Sequence, residues 1–92
     1  MKKFGLRCSI TIKFGITEYR NGAGQRHRLD GPAYIDTHMG GWQSWWINGI
    51  RHREDGPAVI KPDGVEYWLD YNLYQTKEAF DIEIARRKAN QQ

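Results

Sequence analysis

One segment of this chain is written twice. His27-Arg28-Leu29-Asp30-Gly31-Pro32-Ala33-Tyr34-Ile35 returns 25 residues later as His52-Arg53-Glu54-Asp55-Gly56-Pro57-Ala58-Val59-Ile60, identical at seven of nine positions. Repetition at this period confines the fold to stacked supersecondary units, because a hairpin-sized piece cannot bury its rings alone. Each copy follows an aromatic strand and an Asn-Gly pair, at Asn21-Gly22 and Asn48-Gly49, and Asn-Gly is a strong hairpin signal. Asp70-Tyr71-Asn72 stands where a third such pair is due, so the chain holds about two and a half units. Counted back from these turns, Tyr19, Trp46 and Trp68 are equivalent core rings, spaced 27 and 22 residues apart.

The flanks follow other periods. Residues 6–16 alternate Leu6, Cys8, Ile10, Ile12, Phe14 and Ile16 against polar partners, which predicts a half-buried strand or two strands with a bend. Cys8 falls on the apolar side as a small core residue, and a single cysteine allows no intrachain disulfide. Gly40-Gly41 and Pro62-Asp63-Gly64 mark turns between units. From Thr76, a plausible N-cap, residues 76–90 read as a helix with acids leading, bases trailing, and Phe80 and Ile84 one turn apart. The expectation is a single mainly β domain over residues 1–92. It comprises an N-terminal strand region (1–16), an antiparallel meander of six or seven strands carried by the repeats (17–75), and a closing C-terminal α-helix (76–90).

Charge is unevenly placed. Residues 1–28 carry seven Lys/Arg and one acid, for +6, and the remainder carries seven against ten, for −3. That asymmetry permits an acidic partner without demanding one. No apolar segment of signal-peptide or membrane-span length occurs, which predicts a soluble cytoplasmic protein that does not engage a membrane.

The unit Trp-x-Asn-Gly…His-Arg-x-Asp-Gly-Pro-Ala-x-Ile resembles the tandem repeats of small bacteriophage-encoded proteins, and more distantly MORN repeats. The ending Trp68-Leu69-Asp70-Tyr71 followed by Thr76-Lys77-Glu78-Ala79-Phe80 is similar to the incomplete last unit of the phage type. The likeness covers roughly residues 15–80. His52-Arg53 replaces the His-Gly of ordinary MORN units, so lipid binding is not carried over. The resemblance implies a small accessory protein acting in the cytoplasm of an infected host. Such a protein would bind and inhibit a host protein, for instance a bacterial defence component such as a CRISPR effector.

Candidate chemistry is sparse. No phosphate-binding loop, nucleophile elbow or His-Glu-x-x-His zinc motif occurs, so no enzyme, metal site or cofactor is expected. His27-Arg28 with Asp30 and His52-Arg53 with Asp55 suit loop construction: Asp pairs with Arg, Pro presets φ and Gly supplies an unusual torsion. His27, His52 and Arg51 remain possible ligand contacts, for example to a small phosphorylated signal. His38 falls in a solvated turn. Alternation puts Trp42 and Trp46 on one face of their strand and Trp45 with Ile47 on the other. Trp45 has no counterpart under the turn-based alignment, so the face bearing Trp45, flanked by Arg28 and Arg53, is the expected contact region, and Trp42 is a further expected partner-binding residue. Arg7, Lys13, Arg20, Arg26 and Arg28 among aromatics keep nucleic acid as an alternative partner. The strand at residues 6–16 makes a homodimer conceivable.

Overall fold

The computed structural model describes residues 9–91 and is mainly β with one C-terminal helix. Seven antiparallel strands form the main sheet in the order β1 (Ser9–Lys13), β2 (Ile16–Arg20), β3 (Tyr34–Asp36), β4 (Trp42–Ser44), β7 (Val59–Lys61), β8 (Gly64–Leu69) and β9 (Asn72–Tyr74). Strands β5 (Trp46–Ile47) and β6 (Ile50–Arg51) pair only with each other, so the meander is interrupted: β4 passes its place beside β3 directly to β7. Helix α1 spans Lys77–Ala89 and packs on β8 and β9, closing that end of the sheet.

The turns explain the hairpins. Asn48 and Gly49 take φ of 48° and 81°, the left-handed pair that two-residue hairpins require. Phe14-Gly15 repeats this geometry and divides residues 9–20 into β1 and β2, so the bend version of the N-terminal expectation holds. Cys8 and Leu6 lie outside the described residues. The half-buried expectation fails for β1: all five of its residues are exposed. At the third turn Asp70 and Tyr71 sit at φ of 50° and 77°. A bulky side chain gains nothing there, since Tyr71 is 67% exposed, and it carries left-handed strain. Tyr71→Gly is therefore expected to stabilise the domain by about 1 kcal/mol, read as a higher denaturant midpoint at constant m-value.

Cross-strand register, not distance from the turn, defines which residues are equivalent. The amides of Tyr19 and Trp45 donate to the carbonyls of Ala33 and Ala58, and the amides of His27 and His52 donate to the carbonyls of Tyr19 and Trp45. Tyr19, Trp45 and Tyr67 are thus the equivalent ring positions, with Arg20, Trp46 and Trp68 as the next set. The turn-based alignment was one residue out, because unit one goes straight from Arg20 to Asn21 where unit two inserts Ile47. Its Asn21-Gly22 turn is correspondingly reshaped: the Asn21 side-chain oxygen accepts from the amides of Ala23 and Gln25, and Gly24 takes the positive φ of 83°.

The molecule measures 39 × 39 × 17 Å, little more than a sheet with its decorations. Among the described residues the buried apolar ones are Ala33, Ala58, Val59, Leu69 and Phe80, with Ser44 as a buried hydroxyl. So small a core leaves much of the stability to stacked rings and guanidinium groups on the two faces.

Candidate functional site

Face one carries a ladder. Glu18, Tyr34, Ser44, Val59 and Glu66 are successive cross-strand partners and so share this face. Above them Arg26 lies over Tyr34 and Trp46, at 4.3 and 5.2 Å from the ring centroids. Arg51 lies between Trp46 and Trp68, at 4.7 and 4.8 Å. Aromatic and cationic groups therefore alternate in the order Tyr34, Arg26, Trp46, Arg51, Trp68. Polar anchors fix the ring planes: the Trp46 indole donates to Ser44 Oγ at 2.8 Å and the Trp68 indole to Glu66 at 2.9 Å. Arg26 Nε donates to Glu18 at 2.6 Å, whereas Arg51 Nε is buried with no partner. The difference follows from the repeat: Ser44, a short hydroxyl, occupies the position of the carboxylate Glu18 and accepts from Trp46, not from Arg51. Burial pushes the Glu18 carboxyl up, but hydrogen bonds from Arg26 and Arg20 together hold it below its ordinary value. Lys61 and Trp68 lower Glu66 by donating to it. Arg51, expected as a possible ligand contact, is instead an internal strut.

The opposite face carries the two Asp-Gly-Pro loops, built alike to within a few tenths of an ångström. Arg28 lies 4.1 Å over Tyr19 and Arg53 lies 4.0 Å over Trp45. Each guanidinium then closes its own loop: Arg28 donates to Asp30 at 3.0 Å and the Pro32 carbonyl at 3.1 Å, Arg53 to Asp55 at 2.9 Å and the Pro57 carbonyl at 3.0 Å. The hydrogen bond from Arg53 is the main cause holding the Asp55 carboxyl below its usual range. The expected role of the loop glycine needs correction, because neither Gly31 nor Gly56 has a positive φ. A Cβ there would stand 2.8 Å from Arg28 Cζ or 3.0 Å from Arg53 Cζ, so glycine makes room for the folded-back guanidinium. In the incomplete third unit no such loop follows Tyr67, and Phe80 of α1 covers its ring at a centroid distance of 4.8 Å.

His27 and His52 tie each unit to the next. Their Nδ1 atoms accept the amide hydrogens of Asn48 and Asp70, each at 2.9 Å. Flanking them, the Gly49 amide donates to the Arg26 carbonyl and that of Arg28 to Trp46, repeated as Tyr71 to Arg51 and Arg53 to Trp68. Acceptance at Nδ1 assigns the Nε2–H tautomer and commits the lone pair that a base or a metal ligand would need. His38 is exposed, as expected, with Nδ1 2.9 Å from Asp36.

Between the two loops runs a groove of about 700 Å³, floored by Trp45 and Ile47 and walled by Arg28, Leu29, His52, Arg53 and Glu54. Leu29 stands at its rim, 80% exposed. Four expected site residues therefore meet here: Arg28, Arg53, Trp45 and His52. The remaining three do not. His27 is a link to the second turn, Arg51 lies in the opposite face, and Trp42 stands apart, 39% exposed under Lys61 at 5.6 Å. Trp45 is half-buried beneath Arg53 and has its counterparts in Tyr19 and Tyr67, so the reason for singling it out was mistaken even though it floors the groove. Leu29 was missed. The signal for it was available, because it and Glu54 are the variable position inside an otherwise constant loop.

A charge network on α1 reaches the third turn. Glu83 accepts from Arg86 and Arg87, and Arg87 also donates to Asp70 at 2.9 Å in the third turn. The hydrogen bonds from Arg86 and Arg87 hold the Glu83 carboxyl down to about 2, from an ordinary 4.5. A depressed folded value stabilises fully above 4.5 and is lost as pH falls from there towards 2. Acid should therefore loosen α1 across that window, and Glu83→Gln should flatten the decline in melting temperature while lowering stability at neutral pH. An unchanged acid profile in the variant would assign the sensitivity elsewhere.

Compared with known protein families, curated proteins and solved structures, the chain matches none.

Proposed function

We propose that this protein is a non-catalytic binding module whose contact surface is the groove between the two Asp-Gly-Pro loops. The carrying observation is the groove itself, with an apolar floor of Trp45 and Ile47 and an exposed Leu29 on a rim held rigid by the arginine braces. A preformed trough with an apolar floor and charged walls suits a protein side chain or segment, since little ordering entropy remains to be lost on binding. The histidines and arginines around it are already engaged in holding the loops, which favours recognition over proton transfer. The phage-type resemblance extends this reading to inhibition of a host protein, a bacterial defence component such as a CRISPR effector, in the host cytoplasm.

Among alternative partners, nucleic acid is less well supported. Arg20 and Arg26 are paired on Glu18, Arg28 on Asp30 and Arg53 on Asp55, so those cations are self-neutralised. A small phosphorylated ligand has one observation in its favour, two guanidinium groups in one groove. It predicts a phosphate- or nucleotide-dependent rise in melting temperature.

The test is a paired assay in bacteria carrying an active CRISPR system. The wild-type protein should restore infection by a targeted phage and co-purify with the effector, and Leu29→Glu should lose both while keeping its melting temperature. Loss of neither in Leu29→Glu would dismiss the groove; no restoration by the wild type would dismiss the effector as the target.

A further inference from the structure

Strand β1 is the outermost strand of the main sheet, and among the described residues its outer edge has no partner. Every residue of β1 is exposed, with Ile10 at 57% and Ile12 at 75% on one face and Phe14 at 79% in the adjoining turn. Proteins ordinarily blunt such an edge with a central charge, a proline or a bulge. None interrupts Ile10-Thr11-Ile12; the one charge in the strand, Lys13, stands at its end.

We propose that β1 pairs antiparallel with β1 of a second copy, about a two-fold axis through Thr11, to give a dimer with one continuous fourteen-stranded sheet. Three observations select a second copy over a foreign strand. The strand is its own complement: with Thr11 opposite Thr11, Ile10 of each copy faces Ile12 of the other, and all four isoleucines fall on one face. Each row then continues inward, since Ile10 pairs with Tyr19 and Ile12 with Thr17 within a copy. Opposed threonines and opposed β-branched residues are both favourable antiparallel pairs. The charges also agree, because Lys13 faces Ser9 of the other copy and the two lysines lie about 13 Å apart along the strands. Finally, growth stops at two. The far edge, β9, is three residues long and packed by α1, so the contact closes on itself instead of propagating into a fibre.

A five-residue strand pair falls short of the ~800 Å² per partner that stable interfaces bury, so the dimer is a weak, concentration-dependent one. Sedimentation of the full chain up to ~100 μM should show a reversible monomer–dimer equilibrium. Ile12→Lys should raise the dissociation constant by about tenfold or more without lowering the melting temperature. A second measurement fixes the register independently of that variant's folding. In a Cys8→Ser background, Thr11→Cys should form an interchain disulfide under mild oxidation. Lys13→Cys should not, since disulfides span Cα separations below ~7 Å. A chain that stays monomeric throughout the range overturns the proposal. So does a dimer indifferent to Ile12→Lys, or one in which Lys13→Cys crosslinks as readily as Thr11→Cys.

Discussion

Arg51→Ala is expected to lower the unfolding free energy by about 2–3 kcal/mol, a large share of what a domain of this size has. The figure comes from opposing effects. Two cation–π contacts, with Trp46 and Trp68, are lost at ~0.5–2 kcal/mol each. The aliphatic stem that spaces the indoles goes with them, at ~0.8 kcal/mol per methylene. Against this, alanine removes a buried Nε that has no acceptor, which returns ~1–3 kcal/mol. Two further variants separate these effects. Arg51→Met keeps the spacer and deletes both the charge and the orphaned N–H, and should cost under ~1 kcal/mol. Arg51→Lys keeps a charge but loses the planar stack, and should fall between methionine and alanine. Denaturant midpoints at constant m-value measure all three. If methionine proves as damaging as alanine, the ladder is held by its charge and the orphaned Nε costs little.

This strut also shows where reading the sequence ran out. The period-two strands, the Asn48-Gly49 turn, the Thr76 cap and the docked helix were all legible, because each is written in contiguous residues. Thr76 Oγ1 does accept the Ala79 amide at 3.1 Å. What was not legible depends on which residues of different units come to lie together. A single residue fewer in unit one, ahead of Asn21, moved the apparent equivalence from Trp45 to Trp46. The loop glycines looked like torsion devices because Asp-Gly-Pro is a turn string, yet their missing Cβ accommodates a guanidinium folded back from three residues earlier. Arg51 stood among the possible ligand contacts; only the stacking of units puts an indole on either side of it. Of the candidate site, the loops and the floor residue Trp45 were readable; Leu29 was marked only as the variable position of a constant loop, and its place on the rim comes from the two loops standing as opposite banks.

The repeat also dictates what the helix must do, and Phe80→Ala tests it. In units one and two the ring at the start of the loop is covered by that unit's own arginine, Arg28 on Tyr19 and Arg53 on Trp45. The chain has no third loop, so Tyr67 would lie open without α1. Phe80 is 4% exposed, with its ring 4.8 Å from Tyr67 and 6.5 Å from Tyr74, and it is the one residue of the helix that is fully buried. Truncating it should cost about 3–5 kcal/mol. The remaining side-chain tie from α1 to the sheet, Arg87 to Asp70, is partly exposed and worth at most ~1 kcal/mol. A helix of 13 residues is marginal on its own, so once undocked it should also melt. The expected result is therefore a loss of helical circular dichroism together with a lowered melting temperature for the sheet, whose Tyr67 loses its cover. Phe80→Leu should retain most of the helix signal, since an apolar side chain of similar reach still fills the site. Persistence of full helicity in Phe80→Ala would mean that the charge tie holds α1 in place, and that Tyr67 does not need the cover its two counterparts receive.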